Sequence, residues 1–402
     1  MRGGPLPDRT PLLYMHIGIP AEIRPGETRV AATPETVRKL VQGGPSAQLR
    51  TGRHAVIVQA GAGVAASIPD ADYLAAGAAI AARGADIYAQ SDIVLKVRAP
   101  EAAELPLLRR GSVLVGLLNP HDDAGIDALA GTGVTAFAME AIPRITRAQT
   151  MDVLSSQANI AGYKAVLLAA NAYGRFMPLL MTAAGTVKAA RVLVLGAGVA
   201  GLQAIATARR LGAVVEAFDV RPAVKEQVES LGARFVEVPV SDAEKTVAET
   251  AGGYARDMSE DYKQRQAALI DERARAADII ITTALVPGRR APVLLREDTV
   301  RRMKPGSVIV DLAAEQGGNC ALTERDRMAV THGVVLVGYA NLPALVAADA
   351  SALYARNLLS FMSLLLDPAT GALTIDRADE IIDASLVCID GATVRKREAS
   401  LV

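Results

Sequence analysis

Residues 191–221 are the stretch of sequence that most limits how this chain can fold. The apolar run Val192–Leu195 leads directly into a glycine-rich segment, Gly196–Gly201, and an Ala-rich stretch follows. A second apolar run then ends at Asp219, about 20 residues after the first glycine. This order predicts a buried strand, a tight turn, a helix over Leu202–Leu211 and a second strand that ends in a carboxylate. Such a unit is typical of a parallel sheet of the Rossmann type.

The same alternation of short apolar runs and Ala-rich stretches continues through most of the 402 residues. Because the central strands of a parallel sheet are buried on both faces, these continuous Val- and Ile-rich runs predict an α/β fold with parallel sheets. One series of predicted strands comprises His16–Ile19, Ala55–Gln59, Ile93–Val97, Val113–Leu117 and Val134–Met139. A second series comprises Arg191–Leu195, Val214–Asp219, Arg234–Val238, Ile279–Thr282, Val308–Leu312 and Val334–Val337.

Two long helical patterns, from about Gln149 to Ala172 and from Leu345 to Leu366, separate and follow the strand series. They predict two Rossmann-like domains linked by two long helices, with the first domain discontinuous. The predicted boundaries are residues 15–150 plus 345–402 for the first domain and residues 151–344 for the second. A shorter helix is predicted over Thr33–Gln42, with Thr33 as the N-cap before a proline.

The two ends of the chain differ from this pattern. Residues 1–14 contain three prolines and two glycines but no apolar segment, which predicts a flexible tail rather than a secretory signal. The sequence after Asp367 is mixed and acidic, and Asp390-Gly391 predicts a turn.

Composition excludes several classes of function. Basic and acidic residues balance at 43 each, so the overall charge does not favour nucleic acid or an anionic membrane as a partner. The two cysteines, Cys320 and Cys388, form no CxxC pair, and the four histidines show no metal-binding spacing. The sequence therefore predicts no metal site. The most apolar candidate for a membrane span, Ala165–Val187, is interrupted by polar residues and a proline.

Each glycine of the segment Gly196–Gly201 has a predicted task. Gly196 would make the tight turn, Gly198 would let backbone amides approach a pyrophosphate, and Gly201 would let the following helix pack closely. The N terminus of that helix would face the phosphates, because its unpaired N–H groups and dipole favour an anion. Asp219 would accept hydrogen bonds from the adenosine ribose and disfavour a 2′-phosphate. The segment therefore predicts binding of NAD(H) over NADP(H), although Arg221 is close enough to accommodate a 2′-phosphate.

A second glycine pattern follows the strand predicted over Ala55–Gln59, at Gly61, Gly63 and Ala66. Pro69 comes shortly after it and prevents the helix whose N terminus would hold a pyrophosphate. We interpret this pattern as a turn in the first domain and not as a nucleotide site.

A family resemblance rests on two segments, residues 143–157 (PRITRAQTMDVLSSQ) and residues 249–266 (ETAGGYARDMSEDYKQRQ). Both closely resemble the NAD(H)-binding domain I, or alpha subunit, of proton-translocating NAD(P) transhydrogenases. The resemblance covers the chain after Met15. Four other runs also resemble alanine dehydrogenases and identify only the superfamily: IGIPAEIRPGETRVAATP, TTALVPGRRAP, VDLAAEQGGN and GYANLPALVAADAS.

The resemblance implies that four residues surround the nicotinamide and its ribose: Arg144, Gln149, Asp152 and Ser155. Gln149 would reach the nucleotide on the partner protein, and Asp152 and Ser155 would share one helical face. None of the four is a good general base. Hydride transfer between two nicotinamides needs none, because it requires only that the rings are held close together with water excluded.

The cofactor contacts predicted from the loop and from the resemblance form one larger set. Two glycines and Tyr254 in the run Ala251–Met258 resemble the family's mobile loop, and Ala284-Leu285 follow a predicted strand at its carboxyl end. The full set is Arg144, Ile145, Thr146, Gln149, Thr150, Met151, Asp152, Gly196, Ala197, Gly198, Val199, Gly201, Asp219, Val220, Arg221, Gly253, Tyr254, Gln266, Ala284 and Leu285.

Alanine dehydrogenase is the main alternative within the superfamily. Such an enzyme binds the carboxylate of pyruvate and moves a proton, with a lysine and a histidine in its first domain. In the matching stretches LKVRAP and GSVLVGLLNPHDD, Arg98 takes the lysine position and Asn119 the histidine position. Neither side chain can exchange a proton in the working pH range. His121 is two residues further on, after Pro120. Arg29 matches a substrate arginine but could equally serve the structure of the first domain.

A different class of function is a non-catalytic NAD-sensing module that regulates a partner. The resemblance favours the enzyme: a soluble, dimeric subunit that binds NADH and passes its hydride to NADP⁺ held on another chain. The implied partners are a membrane-spanning transhydrogenase subunit and an NADP(H)-binding beta subunit. Proton translocation would reside in the membrane subunits, and this chain would work at the cytoplasmic face of the inner membrane.

Overall fold

The computed structural model describes residues 15–42, 54–238, 260–286, 288–368 and 370–394. The chain divides into two compact units. Unit 1 contains Met1–Gln157 and Val346–Val402, and unit 2 contains Ala158–Leu345. The tail predicted over residues 1–14 lies outside the described residues.

The strands of both units alternate with helices along the chain. The strands are β1 (His16–Ile19), β2 (Ala55–Gln59), β3 (Ala79–Ala81), β4 (Ile93–Arg98), β5 (Val113–Leu117), β6 (Thr135–Ala138), β7 (Leu180–Thr182), β8 (Gly185–Val187), β9 (Arg191–Leu195), β10 (Val214–Phe218), β11 (Arg234–Phe235), β12 (Ile279–Thr282), β13 (Val308–Asp311), β14 (Met328–Thr331), β15 (Val334–Val337), β16 (Leu386–Ile389) and β17 (Ala392–Thr393). The α-helices are α1 (Pro34–Gln42), α2 (Asp70–Ala75), α3 (Gly84–Gln90), α4 (Asp123–Thr132), α5 (Val153–Ala172), α6 (Val199–Arg210), α7 (Lys225–Ser230), α8 (Glu260–Ala276), α9 (Glu297–Arg301), α10 (Ala347–Leu365) and α11 (Glu380–Ser385).

Unit 1 is built on an eight-stranded sheet in the order β17-β16-β6-β5-β4-β1-β2-β3. The six strands from β6 to β3 are parallel, whereas β16 runs antiparallel to β6 and β17 antiparallel to β16. The two strands at this edge come from the second segment of unit 1 and meet at the turn predicted at Asp390-Gly391, where both residues have positive φ. Two positive φ values suit a two-residue hairpin turn.

The core of unit 1 lies on both faces of this sheet. In β5, Val113 and Val115 contact one apolar cluster and Leu114 the other, as expected for strands buried on both sides. Helix α10 covers the first face with a stripe of buried side chains at helical spacing: Tyr354, Leu358, Phe361, Met362 and Leu365. Each fully buried Leu or Phe contributes roughly 1.5–3 kcal/mol through the hydrophobic effect.

Unit 2 has a seven-stranded sheet in the order β11-β10-β9-β12-β13-β15-β14. All neighbours are parallel except β14, which is antiparallel to β15. Counted from β9, the six parallel strands have the 3-2-1-4-5-6 order of a dinucleotide-binding Rossmann fold. Alternate residues of β9 enter opposite cores: Val192 and Val194 contact one cluster, and Leu193 and Leu195 the other. The predicted α/β class with two Rossmann-like domains is therefore confirmed.

The strand predictions are most accurate for strands that pair with a neighbouring strand on both sides. The bounds of β1, β2, β5, β9, β12 and β15 agree with the prediction to the residue. The prediction of Arg234–Val238 is wrong in length, because β11 pairs with β10 over only two residues. Helix α1 begins after Thr33, as predicted, but the Thr33 hydroxyl makes no hydrogen bond within the described residues.

Candidate functional site

The glycine-rich segment begins where β9 ends, at the centre of the unit 2 sheet. The strand order reverses between β9 and β12, and ligands of open α/β sheets bind in the crevice outside the carboxyl ends of such strands. Gly196 follows β9, and Thr283 follows β12. The two are in direct contact, because the Thr283 hydroxyl donates to the Gly196 carbonyl at 3.0 Å. The segment therefore lies at the point of the fold that suits a dinucleotide.

The three glycines perform different structural tasks. Gly196 has φ +104°, a conformation that L side chains rarely adopt, and a Cβ there would overlap the Thr283 hydroxyl. A Cβ on Gly201 would overlap the Gly196 carbonyl oxygen. At Gly198 a Cβ would meet only the Arg221 Nη2, at 3.9 Å. Gly196 and Gly201 are therefore required by the protein's own packing, whereas Gly198 leaves open space above the loop.

Helix α6 begins at Val199, three residues before the predicted start at Leu202. Gly201 has a low helix propensity, so the prediction placed the start of the helix after it, which was wrong. In the structure the Leu202 N–H donates to the Gly198 carbonyl at 2.8 Å, and this hydrogen bond starts the helix. Gly198 is the N-cap and offers no side-chain acceptor to the first turn. The first turn of α6 therefore has no side-chain cap, an arrangement that suits the anion site predicted from the sequence.

Asp219 is held firmly beside this loop. One carboxylate oxygen accepts from the Ala197 N–H at 2.7 Å and from Arg221 Nη2 at 3.0 Å. The other accepts from the Arg221 N–H at 2.9 Å and from Arg221 Nε at 3.0 Å. Burial opposes ionisation of Asp219, but the hydrogen bonds from Arg221 and Ala197 outweigh it and lower its pKa. Asp219 is therefore a charged acceptor that also supports the turn.

Two further residues complete the crevice, and the sequence analysis assigned neither of them a role. Thr283 contacts Gly196, as described above. Asn319 is fully buried, and its amide holds Ala284 from both sides by accepting from the Ala284 N–H at 3.0 Å and donating to its carbonyl at 2.8 Å. Asn319 ends the run VDLAAEQGGN. Its position directly after the glycine pair Gly317-Gly318 is the sequence signal that could have indicated a role for it. Leu285, one residue further, is exposed.

The second group of predicted site residues lies in unit 1 and is not one continuous helix. Thr146–Met151 form a 3₁₀ helix, and α5 begins only at Val153. Asp152 separates the two with φ −72° and ψ 86°. The predicted helix from Gln149 is therefore wrong at its start. Asp152 caps α5 instead, because its carboxylate accepts from the Ser155 N–H at 2.8 Å and from the Ser155 hydroxyl at 2.5 Å.

Exposure divides the predicted contacts of this segment into two sets. Met151 is 5% exposed and belongs to the core of unit 1, and Ile145 packs against the same core. The Met151 side chain therefore packs in the core, and its contact with the cofactor stays a prediction. Exposed side chains that a ligand could reach belong to Arg144, Thr146, Gln149 and Thr150.

Two side chains from the second segment of unit 1 hold this stretch in place. Asn357, on α10, donates to the Thr150 carbonyl at 2.8 Å and accepts from the Ser156 hydroxyl at 2.8 Å. Asp379, the N-cap of α11, accepts two hydrogen bonds from the Arg147 guanidinium at 2.6 and 2.7 Å. Both lie more than 200 positions from their partners, and no local pattern in the sequence could have indicated them.

The remaining predicted residues are distributed as follows. Gly253 and Tyr254 lie outside the described residues. Gln266 is half-buried on α8, and Val220 packs beside the cluster that includes Phe218 and Ile270. The second glycine pattern is a turn, as predicted, because Gly61 donates its N–H to Asp70 and a 3₁₀ helix, Val64–Ala66, follows.

Comparison with known proteins identifies the family. The descriptions "Alanine dehydrogenase/PNT, N-terminal domain" and "Alanine dehydrogenase/PNT, C-terminal domain" match residues 18–161 and 165–396. A Rhodospirillum rubrum protein, named as the first part of NAD(P) transhydrogenase subunit alpha, is 52% identical over 386 residues, which cover 94% of this chain and 98% of that protein. The chain belongs to the alanine dehydrogenase/PNT family, among its transhydrogenase alpha subunits.

Solved structures of both branches of this family resemble the chain. A transhydrogenase from Sinorhizobium meliloti superposes with a TM-score of 0.83 at 47% identity, over 94% of this chain and all of that one. An L-alanine dehydrogenase superposes with a TM-score of 0.77 at 28% identity, over 94% and 97%. The family binds NAD(H), and the chain is an oxidoreductase of its transhydrogenase branch. Within the described residues, no helix combines the length and apolarity needed to cross a bilayer.

The residues at issue in the choice between transhydrogenase and alanine dehydrogenase lie in unit 1. The Arg29 guanidinium is 2% exposed and donates to both oxygens of Glu27, at 2.7 and 2.6 Å. Its remaining terminal nitrogen donates to Gln157 Oε1 at 2.8 Å. Arg98 donates to the same Glu27 carboxylate at 3.2 Å. We call Glu27, Arg29, Arg98 and Gln157 the Glu27 cluster.

A second buried ion group lies on the neighbouring part of β4. Lys96 is fully buried, with its ammonium 2.8 Å from a Glu104 oxygen and 3.4 Å from a Glu22 oxygen. The Tyr88 hydroxyl donates to Glu104 at 2.6 Å. The sequence analysis did not assign Lys96 a role, although it lies in the quoted run LKVRAP. Because the ammonium is surrounded by carboxylates and shielded from solvent, Lys96 is a structural residue here.

Proposed function

We propose that this chain is the NAD(H)-binding subunit of a proton-translocating NAD(P) transhydrogenase. It binds NADH and allows direct hydride transfer to NADP⁺ held on a partner subunit. The partners are an NADP(H)-binding beta subunit and a membrane-spanning subunit that carries proton translocation. The chain works at the cytoplasmic face of the inner membrane and forms a homodimer.

The binding part of this proposal is supported by the geometry of unit 2. The open space at Gly198 and the uncapped N terminus of α6 suit a pyrophosphate. The ionised carboxylate of Asp219 suits the hydroxyls of an adenosine ribose. The bound NADH supplies the hydride, and the chain's own residues bind and orient it.

The observation that carries the choice of hydride acceptor is the Glu27 cluster. An alanine dehydrogenase needs an arginine for the carboxylate of its substrate and a group that moves a proton. In this chain the Arg29 guanidinium is bound by Glu27 and Gln157 and is withdrawn from solvent. Arg98 and Asn119 cannot exchange a proton at neutral pH. These side chains favour a second nucleotide over a small keto acid as the acceptor.

The residues that act at the nicotinamide belong to the segment Arg144–Ser155. We assign Gln149 to the approach of the partner's nucleotide, because its side chain is exposed and an amide can both donate and accept hydrogen bonds. Arg144 is also exposed and provides a cation. Asp152 and Ser155 are hydrogen-bonded to each other, so we assign them as a pair that holds the start of α5 next to the nicotinamide ribose.

Reconstitution tests the proposal. The purified chain is mixed with the NADP(H)-binding component, and hydride exchange is followed between NADH and a spectrally distinct NADP⁺ analogue. Exchange that requires both proteins supports the proposal. Confirmed NADH binding without exchange would leave an NAD-sensing module, and NAD⁺ reduction that depends on L-alanine would support the alanine dehydrogenase alternative.

A further inference from the structure

The hydrogen-bond acceptor positions of the Asp219 carboxylate are occupied by donors of the protein itself. A carboxylate has about four lone-pair positions, and four described donors occupy them: the N–H groups of Ala197 and Arg221, and the Nε and Nη2 of Arg221. One main-chain donor, Ala197, belongs to the glycine loop, and the other, Arg221, lies two residues after Asp219. A ribose that donates two hydroxyl hydrogen bonds to Asp219 can therefore do so only in place of the Arg221 guanidinium.

The Arg221 side chain is placed so that it can be displaced. Its side chain is 36% exposed, whereas that of Asp219 is 7% exposed. Its Nη2 lies 3.9 Å from the position of a Cβ on Gly198, above the loop that approaches the pyrophosphate. Because solvent reaches the guanidinium side of the pair, and because ribose hydroxyls would replace the hydrogen bonds that are lost, exchange of the guanidinium for a ribose diol costs less free energy than breaking a fully buried pair.

We propose that Arg221 is the specificity-determining residue of the adenosine half of the site and acts as a latch on Asp219. This inference rests on the proposed function of the glycine loop. In the free protein the guanidinium stands in for the ribose diol, and NADH must displace it. Once displaced, the guanidinium remains beside the ribose, where its positive charge would compensate the negative charge of a 2′-phosphate. Arg221 therefore weakens binding of NADH and also weakens discrimination against NADPH.

The latch predicts opposite changes for two nucleotides that differ by one phosphate. In Arg221→Gln no cation competes for Asp219, so NADH binds more tightly, by about threefold to tenfold. NADPH binds more weakly, by about tenfold, because the charge of Asp219 meets the 2′-phosphate without a compensating cation. An ordinary arginine that contacts the pyrophosphate would instead lose affinity for both nucleotides when removed.

The experiment measures the dissociation constants of NADH and NADPH by isothermal titration calorimetry on the full chain. Arg221→Gln is compared with the wild type, with Arg221→Lys, and with Arg234→Gln as a matched control. Arg234 is exposed, is ion-paired with Glu216 in the same unit and does not contact Asp219. Arg221→Lys keeps the charge but cannot form the two-pronged contact, so we expect NADH to bind more tightly than to the wild type while NADPH affinity is retained. Arg234→Gln leaves both constants unchanged.

Each outcome is decisive. Tighter NADH binding together with weaker NADPH binding in Arg221→Gln supports the latch. Normal NADH binding by the wild type, with unchanged constants or a parallel loss for both nucleotides in the variant, overturns the latch alone. Failure of the wild type to bind NADH overturns the proposed function, and the latch with it. A thermal unfolding curve of Arg221→Gln shows separately whether the variant is folded.

Discussion

Glu27 and Arg29 form a two-pronged ion pair in which both side chains are almost completely withdrawn from solvent, at 0% and 2% exposure. The pair is local in sequence, but it is closed by Gln157 and shared with Arg98, which lie far along the chain. It converts a potential substrate arginine into a structural one.

Glu27→Gln is expected to destabilise the protein strongly. The substitution leaves the buried Arg29 guanidinium, and also Arg98, without the negative charge of Glu27. Breaking a buried ion pair costs about 3–5 kcal/mol. Urea unfolding at pH 7 measures the loss. Glu101→Gln is the matched control, because Glu101 pairs with Arg24 at 3.7 Å on the surface, where side chains are 39% and 45% exposed. We expect a change of at most about 1 kcal/mol there, and equal losses in the two variants would contradict the role of the cluster.

The contribution of Glu27 to stability is expected to depend on pH. Burial opposes its ionisation, but the hydrogen bonds and charge of Arg29 outweigh it and lower the pKa of Glu27 to about 2. Because this folded-state pKa is below the unfolded value of about 4.3, the stabilisation is present above pH 4.3 and is lost as the pH falls towards 2. It amounts to about 3 kcal/mol.

The difference in unfolding free energy between the wild type and Glu27→Gln should therefore shrink as the pH is lowered from 5 to 3. Measuring the difference matters, because burial raises the pKa of Glu22 and Glu140 and gives these carboxyls the opposite pH dependence. A difference that stays constant across this range would show that Glu27 does not titrate as proposed.

Alanine substitutions at two glycines of the loop should separate folding from binding. Gly198→Ala is expected to change the unfolding free energy by less than about 1 kcal/mol, since its Cβ would meet only Arg221 Nη2 at 3.9 Å. NADH affinity should fall by at least about tenfold, because the methyl group occupies the approach to the pyrophosphate.

Gly201→Ala is the paired variant. Its Cβ would overlap the Gly196 carbonyl oxygen, so we expect a loss of about 1–3 kcal/mol in stability as well as weaker binding. Thermal unfolding and NADH titration check both variants. Equal stability losses at the two positions would disprove this division of tasks.

Gln149→Ala is expected to slow hydride transfer far more than it weakens NADH binding. The side chain is exposed on the 3₁₀ helix Thr146–Met151, so its removal leaves the core intact. Loss of correct positioning can slow a reaction on the order of 100-fold, while the NADH dissociation constant should stay within about threefold. Stopped-flow transfer rates and NADH titration measure the two effects. Leu154→Ala, 44% exposed on the first turn of α5, is the control, and equal losses in rate and binding would remove Gln149 from its assigned role.

We expect the proposed homodimer to form through the surface of the β7–β8 hairpin. Each strand has three residues, and a two-stranded sheet this small is unstable alone in water. The hairpin and the residues before it expose Phe176, Leu179, Leu180 and Met181. Met181→Glu should shift the chain to monomers in sedimentation velocity. Val330→Glu tests an equally exposed apolar residue on the edge strand β14 and should leave the dimer intact. A monomeric wild type would reject the dimer itself.

The central strands could be predicted from the sequence because their burial on both faces requires an unbroken apolar run, as in Ile279–Thr282. The short strands at or next to the sheet edges could not. β3 is Ala79–Ala81, and β16 joins the sheet more than 200 residues after its neighbour β6. Three residues of ordinary composition pair only because a neighbouring strand offers them hydrogen bonds. The break at Asp152 was missed for a related reason, since its cap competes with a helical pattern that continues on both sides.

The sequence by itself determined the glycine loop. The need for a positive φ at Gly196 and for a missing Cβ at Gly201 arises within a few residues, so it is written in the local pattern. Only the tertiary structure decided what the charged side chains do. Arg29 is bound by Gln157 from 128 positions away, and Asp219 accepts a hydrogen bond from the Ala197 N–H, 22 positions before it. Charges pair with whatever the fold places within a few ångströms, and that distance is not encoded near either residue.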